Sequence, residues 1–218
     1  MRVALLLSLA LAVPAAAQTP SATLAALRAD FPADHSALAA RLQGKSGEEA
    51  RRIAYGGMQA FLKTHRQAIL SAPGPLVIAL EKRHGAMLRA LGSRDAAACA
   101  AVGDRGFYSR AALERAYAPG IDDYGVALVA AARAGKGGPP PPSPSPADFT
   151  ALMAKLAAIT PGVPVRRMLE DRAFRARATP GQLCEGAAAM HEAAVALPGT
   201  QAQRMSRILL AAVIGVED

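Results

Sequence analysis

Glu81 and His84 stand three residues apart as Glu-x-x-His, a spacing that sets a carboxylate and an imidazole on one helical face. His65 lies upstream, across the breaker Ser71-Ala72-Pro73-Gly74-Pro75. If the two flanking helices fold back on each other near Pro73, His65 comes level with Glu81 and within about one turn of His84. Two imidazoles and a carboxylate suit zinc or iron, so His65, Glu81 and His84 form a candidate metal set. A di-iron carboxylate bundle would need a second Glu-x-x-His, which the sequence does not contain. The competing reading places His65 and His84 at the edges of apolar faces with their ring nitrogens hydrogen-bonded.

Cys99 and Cys184 are the two cysteines of the chain. An even cysteine count in an exported protein points to a disulfide, and both residues sit in Ala-rich segments where helices can approach closely. Cys184 also lies on the same helical side as His191, so free thiols would make a Cys–His pair conceivable. His191-Glu192 begins like the metalloprotease H-E-x-x-H, but Val195 occupies the second ligand position. Ala39-x4-Gly44-Lys45-Ser46 meets only the loosest form of a phosphate loop, and its helical context is wrong for one.

A third concentration of side chains runs through residues 104–124. Arg105, Tyr108, Arg110, Tyr117 and Tyr124 pair large apolar bodies with polar ends, the composition of a binding surface. The plainer alternative is an irregular connection whose tyrosines plug the core. Residues 166–177 are also basic, but Glu170 and Asp171 within them favour a solvated helix surface.

The formal charge of +8 comes from arginines scattered among alanines rather than gathered in a stripe, which argues against nucleic acid as a partner. Such a charge suits an anionic envelope surface instead. Arg2, the apolar run over residues 3–13 and Ala15-Ala16-Ala17 read as a secretory leader cleaved between Ala17 and Gln18. Residues 208–216, the next most apolar run, are too short to span a bilayer. The mature protein is therefore expected in the periplasm or medium, with no transmembrane span.

Helical periodicity must position all of these groups. Leu76, Leu80, His84, Met87, Leu88 and Leu91 recur every three or four residues, with Pro75 at the helix start and Gly92 as a left-handed stop. Ser46/Glu49, Thr179/Gln182 and Thr200/Gln203 have capping-box spacing. Behind the first of them, residues 50–69 form a long amphipathic face interrupted by Gly56-Gly57. Hydrophobic residues make up 52% of the chain but aromatics only 4%, so an Ala-rich core with little area per residue is expected. No stretch alternates as a strand does.

The sequence thus predicts an all-α protein, an irregular or orthogonal bundle of about eight or nine short helices. Its organisation reads as a leader (1–17), an N-terminal helical part (18–134), a Gly/Pro-rich linker (135–146) and a C-terminal part (147–218) packed on the first. Functionally it points to a non-enzymatic binding or structural role, without a resident cofactor, toward an anionic envelope component or a protein partner. The alternative is a metal-binding protein or metal-dependent enzyme built on His65, Glu81 and His84.

Overall fold

Pro32, Pro75, Pro146 and Pro180 each stand within the first turn of a helix, where a missing N–H costs no intrahelical bond. A computed structural model describes residues 21–105 and 120–215. The expected leader and its cleavage site lie outside them. The described residues contain no strand and form eleven helices, nine of them seven residues or longer. In order these are α1 (Ala22–Asp30), α2 (Pro32–Leu42), α3 (Gly47–Leu70), α4 (Gly74–Gly92), α5 (Ala96–Arg105) and α6 (Ile121–Ala134). After the proline run come α7 (Pro146–Ile159), α8 (Val165–Glu170), α9 (Arg172–Arg175), α10 (Pro180–Val195) and α11 (Gly199–Val213).

The apolar stripe of α4 makes it the central element. Val77, Leu80, Met87, Leu88 and Leu91 are buried, whereas Leu76, expected on the same stripe, is 39% exposed. Around α4 pack α10, α11, α5 and α6. The hairpin expected between α3 and α4 does not form as a side-by-side pair: α3 lies instead against α6, α2 and α11. Periodicity fixes which residues of α3 face inward but not which helix they meet. Gly56 and Gly57 do not break α3; an added Cβ on Gly57 would stand 2.5 Å from a Leu38 methyl, so the glycine admits α2 at close range.

Buried side chains divide into two clusters. The larger gathers residues of α1–α6 with Cys184, Ala188, Leu210 and Val213 from the last two helices. The smaller joins Leu152, Leu156, Val165 and Met168 to Ala189, Ala193, Ala194 and Met205. Helices α10 and α11 therefore contribute to both.

Polar contacts lock the helix ends. The Oγ of Ser145 accepts from the Asp148 N–H, and Asp148 accepts from the Ser145 N–H at 2.7 Å, a capping box that the sequence reading overlooked. Asp148 is fully buried, and Arg204 of α11 donates two hydrogen bonds to it, each 2.8 Å. These donors hold its carboxyl well below the usual carboxylate range, the Arg204 hydrogen bonds first and the Ser145 N–H second. Arg207 donates to the carbonyls of Leu70 and Ala72 at 3.0 and 2.8 Å, placing a cation at the negative end of α3.

Three capping expectations divide. Thr179 and Gln182 form their box. Ser46 makes no side-chain cap bond, and Glu49, the other half of that box, pairs with Lys45 at 2.8 Å instead. Thr200 falls inside α11, whose N-cap is Pro198. Gly92 is likewise corrected: it is the last residue of α4 and lacks the positive φ of a left-handed stop.

Candidate functional site

The carboxylate of Glu81 is fully buried in α4, and its Oε1 lies 2.6 Å from Nδ1 of His191 in α10. His84, one turn along α4 and also fully buried, sets its ring 4.4 Å from that of His191 and 5.3 Å from that of Tyr124 in α6. The sequence motif thus becomes part of a four-member cluster, Glu81, His84, His191 and Tyr124, drawn from three helices. Oε2 of Glu81 has no hydrogen-bond partner among the described residues.

Electrostatics follow from the dryness of this position. Burial drives the Glu81 carboxyl above its ordinary value, against the attraction and hydrogen bond of His191. Burial likewise lowers the His84 imidazole well below its ordinary value, and the neighbouring His191 adds to the shift. The Tyr124 hydroxyl is raised well above its usual range, first by burial and then by the Glu81 charge. A carboxylate orienting an imidazole is the arrangement of a general base. Here, however, His191 is only 6% exposed and the other three 1% or less, so the cluster acts as a polar strut between α4, α6 and α10.

His65 does not join this cluster. Its Nε2 lies 3.0 Å from Asp34, and its ring packs against Phe31 and Phe61 at 4.6 and 4.5 Å. The reason is the placement of α3 against α2 and α6, which carries His65 toward Asp34 rather than Glu81. Among the described residues, no three His, Cys, Asp or Glu side chains are arranged to hold a metal ion. The candidate set of His65, Glu81 and His84 is therefore not assembled there.

Of the expected binding surface, Tyr108, Arg110, Tyr117 and the Arg105 side chain lie outside the described residues. Tyr124 is placed, but in the core rather than on a surface, at 1% exposure. The plainer reading of that tyrosine, a plug in the core, is the one its position fits.

Tyr124 also lines a half-open cleft of about 250 Å³ between α1, α2, α3 and α6, just under the ~300–1,000 Å³ range of small-molecule pockets. Leu27, Leu38, Leu62 and Leu128 form its buried end. One face of α3 supplies a wall: Arg51, Ala54, Tyr55, Met58 and Leu62 follow at helical spacing, from exposed Arg51 to fully buried Leu62. Asp122 fixes the other side. Its carboxylate accepts from Ser21 Oγ, the Ala22 and Thr23 N–H groups and Thr23 Oγ1, over 2.6–3.0 Å. An anion from α6 thereby sits at the N-terminus of α1. Partial burial works against its charge, but the Ser21 and Thr23 hydrogen bonds hold its pKa below the ordinary value.

The remaining covalent feature lies across the central helix. Cys99 of α5 and Cys184 of α10 are at disulfide distance, with Cα atoms 5.2 Å apart, as expected for the bridge read from the sequence. Arg89 ties α4 to the same helix, α10, donating to Glu192 at 2.7 Å and to Glu185.

The fold and its sites define an all-α protein with a cysteine bridge between α5 and α10 and an apolar cleft between α1, α2, α3 and α6. Comparison with protein families, curated proteins and solved structures gives no match.

Proposed function

We propose that this is an exported, non-enzymatic binding protein whose partner is an anionic component of the cell envelope. The observation that carries the reading is the cleft between α1, α2, α3 and α6, apolar within and bordered by the exposed cation Arg51. The overall charge of +8 supports it, because a basic protein meets anionic surfaces by long-range attraction. Export is supported by the leader-like first seventeen residues and by the Cys99–Cys184 pair, since disulfides persist in oxidising compartments. No helix among the described residues is long and apolar enough to cross a membrane.

The test has two parts. Fractionation of the native host should recover the chain from the periplasm, beginning near Gln18. Vesicles containing anionic lipid should bind it at low salt and release it toward physiological salt, because exposed charges are screened over about 8–10 Å. Full-length chain held in the inner membrane overturns the export reading. Equal binding to neutral and anionic vesicles overturns the electrostatic one.

A further inference from the structure

We infer that the cleft along α3 holds a single-chain anionic amphiphile of the fatty-acid type, its hydrocarbon tail against Leu62 and its head group at Arg51. The inference rests on the reading of the protein as a binding protein and names the ligand class of that cleft. Polarity along the wall is graded in one direction. Arg51 is exposed, Ala54, Tyr55 and Met58 are half-buried, and Leu62 is fully buried. From Arg51 to Leu62 the helix advances about 16 Å, a path along which an extended chain can lie. Beyond Leu62 the floor is Leu38, Leu128 and Tyr124, which offer an aliphatic tail apolar contact without requiring a hydrogen bond from it.

The head-group assignment comes from charge. Arg51 makes no ion pair among the described residues, whereas nearby Lys45 is paired with Glu49. The other ionised group on the rim, Asp122, is already saturated by donors from Ser21, Ala22 and Thr23, so it has little capacity to attract a cationic head. Among the described residues the cleft therefore presents at its mouth a cation without an ion-pair partner, beside a carboxylate whose acceptor sites are already filled. An anionic head pairs with that cation, and burial of each tail methylene tightens binding by about fourfold.

Titration calorimetry of the purified chain beginning at Gln18, with dodecanoate, dodecanol and dodecyltrimethylammonium as probes, tests this. Dodecanoate should bind with one-to-one stoichiometry, dodecanol more weakly and the cationic amphiphile least. Arg51→Glu, at an exposed position, should weaken dodecanoate about tenfold and the uncharged dodecanol far less. Ala54→Phe, which narrows the cleft, should abolish binding of both probes; circular dichroism confirms that the variant is folded. Absence of saturable dodecanoate binding, or an Arg51→Glu variant that binds as the parent does, overturns the inference. Vesicle binding that survives in either case leaves the broader reading standing, so the two fail separately.

Discussion

His191 and Glu81, one hundred and ten residues apart in sequence, are joined by a 2.6 Å hydrogen bond between Nδ1 and Oε1 in the buried centre of the fold. Their neighbour His84 is kept neutral by the same dry surroundings, and that gives stability a definite pH dependence. Unfolded, His84 titrates near 6.5; folded, its value lies well below. The unfolded chain therefore binds more protons, and stability from this group is lost as pH falls below about 6.5. Glu81, raised in the fold, works with the opposite sign: its contribution is present at low pH and lost as pH rises through its folded value.

Comparison with His84→Phe isolates the imidazole. Urea unfolding between pH 5 and 8 should show the parent losing stability relative to the variant below pH 6.5, with a limiting slope of ~1.4 kcal/mol per pH unit. Parallel profiles would show that His84 is not held neutral.

Asp148 provides an acid-range counterpart. Asp148→Asn removes the charge that joins the α7 capping box to Arg204 and should lower the melting temperature at pH 7. Because the folded carboxyl lies below its ordinary value, its stabilisation is present above about pH 3.8 and lost on further acidification. The gap between parent and variant should therefore close in that range, as read by thermal scans from pH 7 to 3.

The Cys99–Cys184 bridge links positions 85 residues apart. Chain-entropy reasoning gives about 4–5 kcal/mol for such a loop, an upper figure. Cys99→Ser should lower the melting temperature by several degrees, and peptide mapping without reductant should recover the two cysteine peptides joined. Free thiols on both residues in protein alkylated at the moment of lysis would refute the pairing.

Gly92 faces that bridge. A Cβ added there would stand 2.4 Å from Sγ of Cys184, so Gly92→Ala should destabilise the oxidised protein by roughly 1–3 kcal/mol. In the double variant Cys99→Ala/Cys184→Ala the penalty should shrink, because the opposing sulfur is gone. Denaturant titrations of the four proteins complete the cycle.

Much of this architecture is readable from residue types alone. Proline at helix starts, the stripe of α4 and the absence of strand alternation lead directly to the all-α fold. Long-range neighbours are a different matter. His191 is spaced to face Cys184 and opens an incomplete metalloprotease motif, yet no local spacing ties it to Glu81. Which helix covers α4 is decided by close approach at small residues: a Cβ on Gly85 would stand 3.4 Å from His191 Cβ. Tyr124 shows the same limit, since a tyrosine suits a binding face and a core equally well. Ser145-x-x-Asp148 was present as a signal and could have been found, because aspartate serves where the usual box has glutamate.

The bond between Cys99 and Cys184 also makes the intervening chain a closed covalent ring, with α6, the proline run and α7 all inside it. A protease that cuts once anywhere within that ring opens it without releasing a fragment. The two pieces stay one molecule, migrate as one in the absence of reductant, and keep α10 attached to α5 beside α4. In a compartment rich in proteases, the half of the fold around the central helix can thus outlast a break in its own backbone.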